Sequence, residues 1–249
     1  MTDHRDCTCP DSTLKTSRRT VLRSSLAAFA LGAACATMPE LLEAAALTKE
    51  ERDRLTPDQV LAACRDGNER FRTGKTQPHD YLAQKRATVS GQYPAGVILS
   101  CIDSRAPAEI ILDTRIGDTF NARVAGNIAN DDLIGSLEFA CAAAGAKLIL
   151  VMGHTACGAI KGAIDGVQLG HLTGLLDKIK PAVSATKYDG ERSSKNYAFV
   201  DAVAKTNVLR TVEEIRRQSS VLAGLESAGK IKVVGSMYQL EGGKVEFYM

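Results

Sequence analysis

Five residues in two short segments carry the reactive chemistry of this chain. Cys101, Asp103 and Arg105 stand in C-I-D-S-R, and His154 and Cys157 stand in H-T-A-C-G. Two thiols and an imidazole are ligand types that zinc prefers, and three protein ligands leave a fourth position open, as catalytic zinc sites do. Water in such a position is acidified and becomes a nucleophile near neutral pH. Two thiolates cancel the formal charge of the metal, so they should acidify it less than three imidazoles would. Asp103 is near enough in sequence to compete for the fourth position as a ligand. Arg105 can hold it away through a bidentate ion pair. The bland alternatives are a packed cysteine and a surface ion pair, both common. What favours the metal is that all these residue types coincide at two similar places.

Those places are strand ends. The first segment follows A-G-V-I-L-S (95–100) and the second follows K-L-I-L-V-M-G (147–153). Short runs rich in Val, Ile and Leu, alternating with helical patterns, read as buried parallel strands. Ligand sites of open α/β sheets lie beyond the carboxyl ends of such strands. If 101–105 continues extended, Cys101, Asp103 and Arg105 share one face. His154 and Cys157, three apart at the start of a helical pattern, are expected as neighbours on one helix face. A thiol in a first helical turn has its thiolate favoured by the helix dipole.

The two motifs, about fifty residues apart, resemble the zinc signature of the β-class carbonic anhydrases. Between them, G-D-T-F-N-A-R-V-A-G-N (117–127) resembles that family's central strand and loop, and the likeness runs from about Leu61 to the C-terminus. It implies an α/β fold with a mostly parallel central β-sheet flanked by helices, a zinc site at the carboxyl ends of the strands, and a dimer as the smallest unit. One zinc per chain would be held by Cys101, His154 and Cys157. Asp103 would ligate zinc in a closed form and pair with Arg105 in an open one. The implied reaction is reversible hydration of carbon dioxide to bicarbonate and a proton, through zinc-bound hydroxide. Gln92 and Phe120 match residues that line the substrate pocket in plant-like members, where both come from the partner subunit.

Two departures refine the resemblance. Some bacterial members inhibit themselves by binding bicarbonate beside a tryptophan and an arginine. Arg123 matches that arginine, but Ile98 stands where the tryptophan would be and the chain has no Trp, which favours the non-allosteric type. The stretch between Asn127 and Leu133 is also short and lacks a tyrosine that plant-like members place near the substrate. Carbon disulfide and carbonyl sulfide would suit the same chemistry, and the motifs do not separate them from carbon dioxide. A non-enzymatic zinc module is the further alternative; the Asp103–Arg105 pair speaks against it, since a structural zinc needs no gate.

The 249 residues, 45% hydrophobic and 24% charged, fit one globular domain (47–249) behind a leader (1–46). A net charge of +2 with few aromatics excludes a nucleic-acid partner. The leader reads T-S-R-R-T-V-L-R (16–23) and then S-S-L-A-A-F-A-L-G-A-A-C-A (24–36). Paired arginines before a modest apolar stretch resemble a twin-arginine export signal, with cleavage expected after Ala36 or Ala46 and the mature protein in the periplasm. Lipidation at Cys35 is the second reading, and a disordered cytosolic tail the third. The apolar stretch is too short for a stable membrane span. Export of an already folded protein would let zinc load in the reducing cytoplasm, ahead of a compartment that oxidises thiols. Three of the seven cysteines fall in the leader, which leaves Cys64 and Cys141 as expected packing residues.

Further signals place the remaining elements. Thr56 followed by Pro57 reads as an N-cap and first helical residue, opening a segment to Phe71 that wraps a partner subunit in the family. A small-residue helix is expected over 132–145, stopped by Gly145 and suited to close packing at a dimer interface. A charged helix is expected over 197–218, and a C-terminal hairpin turns at Gly242 and Gly243. His171 matches no ligand and reads as exposed or structural.

Overall fold

The structure, a computed structural model, describes residues 46–248. Three N-terminal helices, α1 (Lys49–Arg54), α2 (Pro57–Arg72) and α3 (Tyr81–Thr88), precede strand β1 (Gly96–Ser100). Thr56 caps α2 through a reciprocal capping box with Gln59, and Pro57 opens the helix, as its sequence predicts. A short helix α4 (Ala108–Ile111) leads to β2 (Thr119–Arg123), and α5 (Asp131–Glu138) leads to β3 (Leu148–His154). Then come α6 (Gly158–Ile164), α7 (Gly170–Asp177), α8 (Lys180–Ala185), the long α9 (Tyr197–Gln218) and α10 (Ser220–Ser227). The chain closes with β4 (Lys232–Tyr238) and β5 (Val245–Tyr248).

The strands form one sheet in the order β2-β1-β3-β4-β5. The first four are parallel, and β5 returns antiparallel to β4. That is the mostly parallel α/β sheet expected. β2 lies at the edge of this sheet, not in its centre, so the expected central strand is corrected. The expected helix over 132–145 also changes character: regular α-helix stops at Glu138, and 139–143 continues with π-type bonding before Gly145 turns it at φ +82°.

Side-chain alternation builds two cores, one on each face. Val97 and Leu99 of β1, Ile149 and Val151 of β3, and Val233 and Met237 of β4 face α5, α6, α8 and α9. Ile98, Leu148, Leu150, Met152, Val234 and Tyr238 face α2 and α4. Burial on both faces explains why β1 and β3 read as unbroken apolar runs. α9 packs hard on β3 and β4. A Cβ on Gly153 would lie 2.6 Å from Val208 Cγ2 of α9, so glycine at that position is what allows the approach.

Candidate metal centre

β1 and β3 are adjacent and parallel, with Ser100 opposite Met152. Their carboxyl ends therefore deliver Cys101 and His154 to the same edge of the sheet. Cys157 follows three residues after His154. All three are buried, and their ligand atoms lie within 4.8 Å of one another. The two sulfurs are 4.0 Å apart.

The local geometry differs from the sequence expectation in both segments. β1 stops at Ser100, and 101–105 is a turn, not an extended strand. Asp103 and Arg105 meet because the Asp103 carboxylate closes that turn, accepting the Arg105 backbone N–H at 2.9 Å. The guanidinium then clasps both carboxylate oxygens, Nε to Oδ1 at 2.9 Å and Nη2 to Oδ2 at 2.8 Å. In the second segment His154 ends β3, and Cys157 is the residue that caps α6, so the two do not share a helix face. Between them Ala156 takes φ +55°, and this left-handed turn brings the thiol round to the imidazole.

Further side chains hold these turns. Arg123, at the end of β2, donates Nε to the Cys101 carbonyl at 2.8 Å and Nη2 to the Asp103 carbonyl at 2.6 Å. Gly126, at φ +70°, donates its N–H to Cys101 Sγ at 3.4 Å. Its carbonyl accepts from Asn207 Nδ2 of α9 at 2.7 Å. A Cβ there would meet Ile179 Cδ1 at 2.6 Å, so this backbone needs glycine on both counts. Asp201, also on α9, accepts the Ala156 N–H at 2.8 Å. The sequence singled out Arg123 only for its family match; Asn207 and Asp201 it missed, since no local spacing ties them to the motifs.

Protonation is shared unequally. The Cys101 thiol is pushed down, chiefly by a hydrogen bond from Cys157, against the opposing effect of burial. The same bond, burial and the neighbouring thiolate push Cys157 up. Burial works against a charged His154, but the Cys101 thiolate, the Thr155 carbonyl and Asp103 outweigh it and raise the imidazole's pKa. Arg105 holds the Asp103 carboxyl well below the usual carboxylate range.

The donor set fits zinc. His154 Nδ1 bonds the Thr155 carbonyl at 2.9 Å, while buried Nε2 has no hydrogen-bond partner. A buried polar atom without a partner is expensive, and a metal ion would satisfy it. Two zinc–sulfur bonds of about 2.3 Å at a tetrahedral angle span about 3.8 Å, close to the sulfur separation. Asp103 Oδ2 stands 3.8 Å from His154 Nε2, near enough to reach the cluster by a small movement.

Gln92 and Phe120 do not join this cluster within the chain. Gln92 is exposed and precedes β1, at the opposite end of that strand from Cys101. Phe120 pairs with Val97 near the start of β1 and meets the Phe139 ring edge-on at 6.1 Å between centroids. Cys64 and Cys141 are buried packing residues whose thiols burial pushes up to about 12. His171 is exposed.

The fold and the cluster together define an α/β protein with a metal-capable Cys–His–Cys group at the carboxyl edge of a parallel sheet. A family model described as carbonic anhydrase matches residues 96–245. Carbonic anhydrase 2 of Mycobacterium tuberculosis is 34% identical over 194 residues, covering 76% of this chain and 91% of that protein. The carbonic anhydrase of Mycolicibacterium smegmatis is 32% identical over 192 residues, covering 76% and 92%. Among solved structures, a tetrameric β-carbonic anhydrase of the ascomycete Sordaria macrospora superposes with a TM-score of 0.56 at 25% identity, covering 64% of this chain and 82% of that one. The chain belongs to the carbonic anhydrase family, in its β class, and carries that family's enzymatic activity.

Proposed function

We propose that the chain catalyses zinc-dependent, reversible hydration of carbon dioxide to bicarbonate and a proton, with Cys101, His154 and Cys157 holding one zinc ion per chain. The observation that carries this reading is the unpartnered, buried Nε2 of His154, set among two buried thiols and beside an ion-paired carboxylate. Bound there, zinc would supply a Lewis acid that makes water a usable nucleophile near neutral pH.

The chain's own residues prepare that chemistry. His154 Nδ1–H donates a hydrogen bond to the Thr155 carbonyl, which favours the tautomer whose Nε2 carries the lone pair. Gly126 N–H partly neutralises the Cys101 sulfur, and Arg123 pins the carbonyls on either side of Ile102. Arg105 keeps Asp103 ionised and turned aside, the open state of the gate. An ionised carboxylate is an acceptor only, so Asp103 in this position can orient an O–H of water or bicarbonate. Gln92 and Phe120 are assigned to the substrate pocket of a partner subunit in a dimer-based assembly. Oligomerisation is supported by the likeness to the Sordaria macrospora tetramers.

The twin-arginine leader, with Arg18 and Arg19 as its recognition pair and Cys35 as the alternative lipidation site, lies outside the described residues. Export to the periplasm is proposed on its sequence. Among the described residues no helix is long and apolar enough to cross a membrane.

Stopped-flow hydration of carbon dioxide, with zinc measured on the same purified chain, tests the reading. Activity should scale with zinc content, vanish on chelation and return with added zinc. A fully zinc-loaded chain that hydrates carbon dioxide no faster than buffer would overturn it, and turnover of carbon disulfide or carbonyl sulfide instead would reassign the substrate.

A further inference from the structure

One half-buried carboxylate is committed to the turn that carries two of the three proposed ligands. Asp201 lies in the second turn of α9, and its Oδ1 accepts the N–H of Ala156 at 2.8 Å. No ion pair of Asp201 is found among the described residues. Burial disfavours its charge, and the Ala156 N–H is the chief group that opposes it. A group held at such a disadvantage invites a reason.

The turn supplies one. Ala156 sits at φ +55°, a left-handed conformation that a residue with a Cβ resists. The neighbouring residue is tied elsewhere: Thr155 N–H donates to the Tyr238 carbonyl at 3.0 Å, and Thr155 Oγ1 accepts from Leu240 N–H at 3.0 Å. Those bonds hold the His154 side of the turn against β4. Cys157, on the other side, is the N-cap of α6 but makes no side-chain capping bond; its sulfur is turned to Cys101 Sγ at 4.0 Å instead. The Asp201 bond ties the Ala156 N–H to α9, immediately before the chain enters Cys157.

We infer that Asp201 is a positioning residue, clamping the left-handed turn so that Cys157 Sγ and His154 Nε2 face one point and the cluster binds metal tightly. The inference rests on the metal reading proposed above. Outer partners that orient ligands are typically worth about 10–100-fold in metal affinity. Geometry and charge can be separated by substitution. Asp201→Asn keeps a side-chain oxygen at the same reach and loses the charge. Asp201→Glu keeps the charge and displaces the oxygen by one methylene. Asp201→Ala removes both.

The test is cobalt(II) affinity of the full chain by chelator competition, together with the intensity of the thiolate-to-cobalt absorption band. Asp201→Asn should stay within about threefold of the parent chain, whereas Asp201→Glu and Asp201→Ala should bind about tenfold or more weakly and show a weakened band. Parent-like binding by Asp201→Glu, or weak binding by Asp201→Asn, would overturn the clamp. The Asn and Glu pair decides the matter even if the Ala variant does not fold. A second readout needs no metal: diamide takes two electrons and two protons from a dithiol, and the rate at which it links Cys101 to Cys157 in the metal-free chain, mapped by mass spectrometry, reads how the two sulfurs are aimed. The same order is expected there. A parent chain that takes up no cobalt would sink the metal reading alone, while equal oxidation rates across the series would sink this inference.

Discussion

Replacing Gly153 by Ala tests the packing that delivers His154 to the site. The new Cβ would lie 2.6 Å from Val208 Cγ2 and 2.8 Å from Met237 Sδ, well inside the optimal carbon contact of about 3.5–4.0 Å. Both neighbours are buried, Val208 completely, so neither can swing into solvent. Either α9 lifts or β3 bends, and overpacking of this kind costs about 1–3 kcal/mol. At about 2–4 °C per kcal/mol for a domain of this size, the melting midpoint should fall by about 2–12 °C. Because His154 is the next residue, the same shift should loosen metal retention. Calorimetric melting of Gly153→Ala beside Gly135→Ala is the assay. Gly135 lies in α5 with nothing within 4 Å of a Cβ, so that change should hold or raise the midpoint. Adding Val208→Ala to Gly153→Ala should cost less than the two changes summed, since the first removes the closest obstruction met by the second. A Gly153→Ala midpoint within about 1 °C of the parent would refute the claim that α9 presses on β3 as described.

Other expectations follow from the same geometry. Arg105→Ala should keep its metal and lose hydration rate. Freeing Asp103 removes two charge-assisted bonds worth about 1–2 kcal/mol after allowing for the exposure of Arg105, about 5–30-fold in the open-to-closed balance. Closed coordination by Asp103 would then persist to higher pH, so the rate profile should move up by about one unit; an unchanged rate and profile would remove the gate. Asp113 is buried between Arg70, His79 and the Gln77 N–H; burial opposes its charge, but these partners outweigh it and lower its carboxyl below the unfolded value. Its stabilisation is therefore present above the unfolded value of about 3.9 and lost as pH falls through the lower folded one. Asp113→Asn, which tolerates the left-handed φ of +49°, should flatten that acid limb of the stability curve. Cys64 and Cys141, pushed up to about 12 by burial, should resist iodoacetamide at about pH 8 until the chain unfolds, because so little thiolate exists there. Arg18→Lys with Arg19→Lys should leave active protein in the cytoplasm; unchanged periplasmic activity would argue for another route.

What the sequence made legible was whatever depends on neighbours in the chain. β1 and β3 announce themselves because burial on both faces leaves no polar interruption, and their shared edge follows from the parallel α/β pattern. The capping of α2 and the span of α9 are likewise local. The two motif turns depart from their local expectation for a common reason. The flanking elements alone favour extension of 101–105 and a helical face for His154 and Cys157, but both turns are fixed by partners far along the chain. Arg123 holds the Cys101 and Asp103 carbonyls from 20 or more residues away, and Asp201 holds Ala156 across 45. The π-type segment at 139–143 and the His79–Asp113 pair, 34 residues apart, are equally long-range outcomes. Residue type and spacing named the cluster, and tertiary structure decided how it is aimed.

The central claim is that two thiolates and one imidazole of this chain hold zinc. X-ray absorption at the zinc edge of the purified, active protein tests it most directly. Two sulfur neighbours at about 2.3 Å and one nitrogen at about 2.0–2.1 Å are expected, with the fourth neighbour an oxygen. One sulfur should be lost in Cys157→Ala. A zinc shell without sulfur, or a Cys157→Ala protein with the parent spectrum, would contradict it.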